Sequence, residues 1–447
     1  MVLTILIIYL LTLFVLTYIS ARQLKTPTDY FVAGKNNGTI LVTGSLLASV
    51  LGGSAILGSV NLAMSQKWAS VWYLLSAAIG FFCLLPVVNR VARHGKFTLS
   101  DLIGNYYGDS ARKLASIVIP LAWVGIVSAQ VIAAAKILFS LFAMPYETGV
   151  ILASLVFIIY TVIGGQLSII KTDLIQAVII FVGIILSSIY LLFHHGGASV
   201  SPLLESFPFN PSFKPIDLLV LLLSFSTTFV VGPDVYSRIF CARNEQVAKR
   251  SVLFSAVLLI PFAFVLAYLG VFAAENLTPN QLHSVALIEL IQAYLPTWVV
   301  GIMAAALLSA VLSSADTTLL TASMMLSELF NENINNKRSL HLTRYIVIVI
   351  GVAAMVIALY ATSIINTLLL ALSFYSGAFI VPIVLALWEI KVNKRNAIIA
   401  ILVGGLMALI GKLVSVHTGS SIGNYMLFSA FAVNFLILKI GAGNIRA

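Results

Sequence analysis

The sequence predicts an all-α integral membrane protein with about 13 transmembrane helices. Hydrophobic residues make up 60% of its 447 residues and charged residues only 9%, against roughly 45–50% and about 25% in soluble domains. Apolar runs recur along the whole chain, from Met1–Ile19 to Met426–Leu438. Most of them reach or approach the roughly 20 residues that cross a bilayer as a helix. The chain is therefore expected to lie in a lipid bilayer.

The distribution of basic residues predicts the orientation of the helices. A net charge of +10 alone would be compatible with nucleic acid binding, but the charges follow the odd-numbered runs. Examples are Arg22, Arg90, Arg238, Lys337 and Lys394. This positive-inside bias predicts an external N-terminus, a cytoplasmic C-terminus and a multi-pass protein of the plasma (inner) membrane. It argues against a nucleic acid partner.

The first run has one alternative interpretation, a cleaved signal peptide. Signal peptides carry basic residues before their apolar core, whereas Arg22 and Lys25 follow this run and no basic residue precedes it. A membrane span is therefore the favoured interpretation, and it gives an extra helix ahead of the rest of the fold.

Two runs are interrupted by residues that weaken helices. The second run contains Gly52-Gly53 and the seventh is followed by Gly232-Pro233. Each break alone could be a packing kink. With five spans from one to the next, the pair indicates two inverted five-helix repeats with broken first helices, the pattern of a secondary transporter. We expect four segments: residues 1–38 with the first extra helix, 39–195 and 196–393 with the repeats, and 394–447 with two further helices.

The segment Ala306–Ser323 carries a polar face within an apolar span. On a helical wheel, one half of the circumference collects most of its polar residues and leaves Thr318 outside. These residues are Ser309, Ser313, Ser314, Asp316, Thr317, Thr321 and Ser323. Neighbouring helices, water or a cation could satisfy such a face, and hydroxyls often bond to their own helix or across a helix interface. Asp316 favours a cation or a proton, because a carboxylate in mid-membrane is costly unless paired or neutralised.

A second carboxylate, Asp173, begins the sixth run. It could simply interact with the helix dipole, or it could act with Asp316. Two nearby carboxylates would bind a cation or share a proton.

The seventh run contains a second pair of charged residues. Asp234 lies one turn before Arg238, and we expect an intrahelical ion pair there.

Five motifs in order along the chain resemble those of the sodium/solute symporter family, the sodium-coupled carriers of sugars, proline, pantothenate and sialic acid. They are D-Y-F-V-A-G-K at Asp29–Lys35, T-L-S-D-L-I-G-N-Y-Y-G at Thr98–Gly108, G-G-Q-L-S-I-I-K-T-D-L-I-Q at Gly164–Gln176, Y-S-R-I-F-C-A-R-N at Tyr236–Asn244 and A-V-L-S-S-A-D at Ala310–Asp316. Each motif alone is short, but the ordered set covers most of the chain. The resemblance implies the inverted-repeat transporter fold and sodium as the coupling ion.

The resemblance also implies ion sites. The family's main sodium site corresponds here to Ala48 and Leu51 at the first break, with Ala310, Ser313 and Ser314. The second ion of some members corresponds to Asp173, Ser313, Asp316 and Thr317. Position 316 usually carries a hydroxyl or small residue in the family, so Asp316 is a departure, and this region could hold a sodium ion or a proton.

The same resemblance implies a solute site near the midplane, against the broken helices. The candidate residues are Ser54, Gln130, Lys136, Phe225, Thr228, Phe229, Phe374 and Tyr375. Aromatic residues in spans more often serve packing, and Lys136 could either neutralise a solute carboxylate or extend towards the interface. Phe225 and Thr228 do not match the sugar carriers, so a sugar is not the first expectation.

These observations predict a sodium-coupled symporter that imports a small organic solute by alternating access. A proton-coupled carrier on the same scaffold and a transporter-like sensor are the alternatives. We do not expect an enzyme, because the histidines lie at or outside the ends of the spans and offer no intramembrane catalytic site. No obligate protein partner is indicated.

Overall fold

The computed structural model describes residues 1–94, 97–196, 206–277, 285–331, 336–361, 363–390, 392–418 and 422–442. Within these ranges the protein is helical, with isolated β-bridges and no strand. The helices in chain order are α1 (Val2–Ala21), α2 (Pro27–Val32), α3 (Thr39–Val50), α4 (Gly53–Gln66), α5 (Val71–Leu84), α6 (Val88–His94), α7 (Leu99–Tyr107), α8 (Asp109–Phe142), α9 (Tyr146–His195), α10 (Pro215–Leu221), α11 (Thr227–Val231), α12 (Pro233–Cys241), α13 (Glu245–Asn276), α14 (Ala286–Tyr294), α15 (Thr297–Ser327), α16 (Lys337–Tyr360), α17 (Ile364–Leu387), α18 (Lys394–Thr418) and α19 (Ile422–Ala442).

The all-helical membrane architecture agrees with the sequence. Ten helices of the described chain are long and apolar enough to cross a membrane. Two of these stretches contain more than one apolar run. Gly53–Leu84 contains α4 and α5 with a turn at Lys67 between them, and Tyr146–His195 contains two helical halves that meet at Gly165. The last run gives the short apolar helix Tyr425–Lys439.

Both predicted helix breaks are present. Helix α3 ends at Val50, and Gly52 precedes α4 in an extended conformation with φ −62° and ψ 164°. Helix α11 ends at Val231, and Gly232 is extended with φ −72° and ψ 130° before Pro233 starts α12. Each break leaves carbonyl groups at the end of one helix and amide groups at the start of the next without intrahelical partners.

Helix α9 differs from the expectation of two spans with a connection between them. Its two halves meet directly at Gly165, which has φ 56° and ψ −169°. Only glycine adopts this conformation readily, and the Tyr30 ring leaves no room for a side chain, because a Cβ on Gly165 would lie 2.4 Å from its Cδ2. The kink starts the second half of α9, which carries Asp173.

Helix α15 lies at the centre of the bundle. Of its most apolar stretch 83% is buried, against 22% for α1. It packs against α8, α9 and the first broken helix, α3–α4. Its hydroxyl-rich face therefore meets protein rather than lipid, and Thr318, which the helical wheel placed outside that face, is buried too.

Candidate ion and solute sites

The hydroxyl face of α15 contacts the break between α3 and α4. Ser313 Oγ donates a hydrogen bond of 2.9 Å to the carbonyl of Ala48 and lies 3.3 Å from the carbonyl of Ala310. Ser314 Oγ donates a hydrogen bond of 2.9 Å to the carbonyl of Ser49. The C-terminal carbonyls of α3 carry the negative end of the helix dipole. Hydroxyl oxygens of α15 and carbonyl oxygens of α3 thus converge at the first helix break.

The backbone of the break is held close to α15. Leu51 is fully buried, and its amide donates to the carbonyl of Leu47 at 2.9 Å. A Cβ on Gly52 would lie only 2.3 Å from Ser314 Oγ, and one on Gly53 would lie 2.2 Å from Val311. Glycine at these two positions lets the broken helix approach α15 closely enough for its carbonyls to face the serines.

A buried charge cluster lies beside this contact. Arg238 on α12 is fully buried and forms a salt bridge of 3.0 Å from Nη2 to Asp173 Oδ2 on α9. The same guanidinium donates to Thr317 Oγ1 on α15 and, at 3.1 Å, to Ser45 Oγ on α3. Ser45 in turn donates to Asp173 Oδ2 at 2.5 Å. The cluster ties four helices together.

The predicted intrahelical pair between Asp234 and Arg238 is wrong. Arg238 reaches only the backbone carbonyl of Asp234, at 3.5 Å from Nη1, and its charge pairs with Asp173 instead. The positive-inside pattern had also treated Arg238 as a loop charge. Both differences have the same cause. Helix α12 packs against α3 and α15, and this packing encloses the side chain of Arg238.

The cluster leaves negative charge uncompensated. Asp316 is fully buried and its Oδ1 lies 3.3 Å from Thr317 Oγ1. Within the described ranges, Asp316 Oδ2 and Asp173 Oδ1 have no hydrogen-bond partner. Two carboxylates against one guanidinium give a formal charge of −2 + 1 = −1. A group of this kind in a low-dielectric interior favours one further monovalent cation or proton.

A cavity of about 100 Å³ lies between the two broken helices. Five of the predicted solute residues line it: Ser54, Gln130, Phe225, Thr228 and Phe229. Gln130 Nε2 donates to Ser54 Oγ at 3.0 Å, which fixes the amide beside the first break. Ser314 and Thr318, one turn apart on α15, also face the cavity. The contact between α15 and the first helix break and the cavity thus share Ser314.

The other three predicted solute residues lie outside the lining of this cavity. Tyr375 is fully buried, donates a hydrogen bond to the carbonyl of Val231 and packs edge-to-face on Trp123 with ring centroids 4.7 Å apart. Phe374 packs near Gly405 on α18. Lys136 is half-buried on α8 and is not part of the lining. The role of Tyr375 is to support the cavity wall from behind.

Several cavity residues were not assigned to the solute site from the sequence, and two of them form a hydrogen bond with each other. Trp123 on α8 and Asp234 on α12 both line the cavity, and Trp123 Nε1 donates to Asp234 Oδ1 at 2.9 Å. The available signal was the position of Asp234, directly after Gly232-Pro233. A charged residue at a helix break in a membrane span indicates a functional site.

Another buried carboxylate lies at the C-terminal end of α15. Glu328 is 3% exposed, and its carboxylate accepts hydrogen bonds from Thr98 Oγ1 at 2.5 Å and Ser100 Oγ at 2.6 Å. Burial raises the pKa of Glu328 to about 8, and the negative charge of Asp101 adds to the effect. The contact joins the end of α15 to the start of α7.

Comparison with known proteins decides the family. The model of the sodium:solute symporter family matches residues 30–404, which include both helix breaks and the whole of α15. The chain belongs to the sodium:solute symporter family. Its members are transporters, so the protein is not an enzyme.

Curated relatives of this symporter family member are similar over nearly their whole length. The sodium/proline symporter of Salmonella typhimurium is 26% identical over 443 residues, covering 91% of this chain and 86% of the relative. The sodium/pantothenate symporter of Escherichia coli is 25% identical over 434 residues, covering 90% and 88%. The high-affinity proline transporter of Bacillus subtilis is 24% identical over 448 residues, covering 94% and 93%.

Solved structures share the fold. An outward-open, substrate-bound sodium-coupled sialic acid symporter matches with a TM-score of 0.80 at 18% identity, covering 99% of this chain and 97% of that one. A nucleobase-cation-symport-1 family transporter in a closed conformation matches with a TM-score of 0.61 at 12% identity, covering 94% and 95%.

Proposed function

We propose that this protein is a sodium-coupled symporter that imports a small organic solute by alternating access. The observation that carries the proposal is the contact of Ser313 and Ser314 with the carbonyls of Ala48 and Ser49 at the helix break. Membership of the sodium:solute symporter family supports it, as do relatives named for sodium-coupled uptake of proline and pantothenate.

The proposed sodium site consists of Ala48, Leu51, Ala310, Ser313 and Ser314. Carbonyls at an unwound helix and hydroxyls from a facing helix are the ligands that transporters of this kind offer to sodium. A sodium ion there would hold α15 against the α3–α4 break and favour the state in which that contact is closed. Because the cavity shares Ser314, sodium and solute binding would be linked by one coupling free energy.

The proposed architecture has about 13 spans, counting each broken helix as one. Residues 1–38 supply an extra helix, 39–195 and 196–393 two inverted repeats, and 394–447 two further helices. The matching positions of the breaks at Gly52 and Gly232 support this division. The basic residues support an external N-terminus and a cytoplasmic C-terminus in the plasma membrane.

Uptake into proteoliposomes tests the proposal. Labelled L-proline and pantothenate, the solutes of the relatives, are offered under an inward sodium gradient and under a potassium gradient of equal size. We expect one solute to accumulate only with sodium. Accumulation that is equal in potassium, or that needs only a pH gradient, would contradict sodium coupling.

A second ion is proposed at Asp173, Ser313, Asp316 and Thr317. The formal charge of −1 left by Asp173, Asp316 and Arg238 supports either a second sodium ion or a proton there. Replacing Asp316 by Asn removes that charge and should lower the number of positive charges carried per solute by one. The measurement is the reversal potential of solute flux in proteoliposomes at two pH values. A pH-dependent change identifies the ion as a proton, and an unchanged charge ratio in the variant would contradict a second ion.

A further inference from the structure

The cavity between the broken helices contains two hydrogen-bond acceptors that lack a donor. Asp234 Oδ1 accepts from Trp123, but for Oδ2 the described part of the chain offers no hydrogen-bond or ion-pair partner. Gln130 is 2% exposed; its Nε2 is bound to Ser54, while its Oε1 is without a donor in the same part of the chain. Both residues line the one cavity, so a ligand there meets the carboxylate of Asp234 and lies beside the amide of Gln130.

Four aromatic side chains also line the cavity, namely Tyr73, Trp123, Phe225 and Phe229. Tyr73 stacks on Phe225 with ring centroids 4.6 Å apart, and Phe225 contacts Phe229 edge-to-face at 5.1 Å. Trp123 presents its indole beside Asp234. An unpaired carboxylate in such surroundings is costly, whereas a ligand cation gains both from the carboxylate and from the aromatic faces. The wall is therefore complementary to a positive charge with N–H donors.

Among the described residues, no basic side chain lines the cavity. Arg238 is the basic residue nearest along α12, and its guanidinium is engaged by Asp173, Thr317 and Ser45. Within the described residues, its hydrogen bond to Asp234 goes to the backbone carbonyl, at 3.5 Å, and not to the carboxylate. The carboxylate of Asp234 is thus left for a group that enters the cavity.

We propose that Asp234 and Gln130 bind a protonated amino group of the transported solute, with Trp123 holding the Asp234 carboxylate in position. The substrate class is a small molecule that carries an ammonium group, such as an amino acid or a simple amine. The proposal rests on the proposed function and narrows it, because neutral sugars and carboxylates without an amine carry no positive charge to pair with the Asp234 carboxylate. The cavity volume of about 100 Å³ is below the usual range of ligand pockets, about 300–1,000 Å³, and favours a small solute.

Matched pairs of compounds test the proposal on the purified protein in sodium. Each pair differs in the amino group: L-alanine with L-lactate, L-serine with glycerate, L-proline with tetrahydrofuran-2-carboxylate, and ethanolamine with ethylene glycol. Thermal unfolding is followed against compound concentration. We expect at least one amine to raise the melting temperature and its partner compound to bind at least tenfold more weakly. Binding of only the amine-free members, or of no amine at all, would overturn the proposal.

Variants separate this result from the sodium proposal. Asp234→Asn should weaken binding of the amine at least tenfold, and Asp234→Glu should restore part of the affinity, because the negative charge is kept. Glu147→Gln removes an exposed carboxylate on α9 and should leave the affinity unchanged. If sodium itself fails to stabilise the wild type, the proposed function fails. If sodium stabilises both proteins but the amine affinity of Asp234→Asn equals that of the wild type, only the amine proposal fails. Loss of the sodium response in Asp234→Asn would show that this carboxylate binds the metal ion, and that result would also overturn the amine proposal.

Discussion

The carboxylate of Asp173 and the guanidinium of Arg238 form a salt bridge of 3.0 Å in which neither side chain is exposed to solvent. The pair links α9 to α12 across 65 positions of sequence, and Ser45 and Thr317 form further hydrogen bonds with it. This contact brings the second broken helix against the first, and the stability of the bundle should depend on it.

Removing one partner of this pair should be strongly destabilising. Asp173→Asn removes the salt-bridge partner of the buried guanidinium, and breaking a buried ion pair costs about 3–5 kcal/mol. The double variant Asp173→Asn/Arg238→Gln should be more stable than Asp173→Asn alone. Thermal unfolding in detergent measures both. Glu245→Gln, which breaks the exposed pair with Arg93, serves as the control and should not change the melting temperature. Equal melting temperatures for wild type and Asp173→Asn would show that the pair is not structural.

The close approach at the first break should tolerate no side chain. In Gly52→Ala the new Cβ would lie 2.3 Å from Ser314 Oγ, and overpacking of this kind costs about 1–3 kcal/mol. The variant should melt at a lower temperature and respond less to sodium, because Ser314 is displaced. Gly58→Ala is a matched control on the same α4, since its Cβ would meet only Tyr73, at 3.9 Å. A Gly52→Ala protein that behaves like Gly58→Ala would contradict the described contact.

Glu328 should make stability depend on pH. Its pKa lies near 8 in the folded protein, above the ordinary value of about 4.3, so the folded state holds a proton that the unfolded state releases. Stability should therefore fall as the pH rises from about 5 through 8. Glu328→Gln keeps the uncharged form and should flatten this dependence, as seen in melting temperatures across the range. Glu147→Gln should retain the wild-type profile, and a Glu328→Gln profile as steep as that of wild type would refute the assignment.

The sequence predicted those features that local chemistry determines. Glycine and proline marked both helix breaks, and the spacing of hydroxyls along α15 marked the face that meets α3. The partners of Arg238 and Asp234 could not be predicted in this way, because they depend on how α12 crosses α3, α8 and α9. The one-turn spacing of Asp234 and Arg238 favoured a local pair, but burial placed the guanidinium next to Asp173 and left Asp234 for the cavity.

The local sequence pattern also could not predict that two apolar runs meet directly within α9. Gly165 resembles an ordinary loop glycine in the sequence, and only the packing of Tyr30 against it explains a kink without a connection. Only some of the predicted solute residues line the cavity. Those next to the breaks, such as Ser54 and Thr228, line the cavity, whereas Tyr375 supports the wall through Trp123.

Thermal unfolding of the purified protein in sodium and in potassium, at equal ionic strength, tests the central claim most directly. A ligand at about 100 times its dissociation constant stabilises the folded state by about 2.7 kcal/mol. Sodium should raise the melting temperature of the wild type, and Ser313→Ala should lose that rise because it removes the hydroxyl facing Ala48. Ser323→Ala, whose hydroxyl bonds within α15 to Leu319 at 2.7 Å, should keep it. A wild type that melts at the same temperature in both salts, or a Ser313→Ala protein with the full sodium response, would contradict a sodium site at this contact.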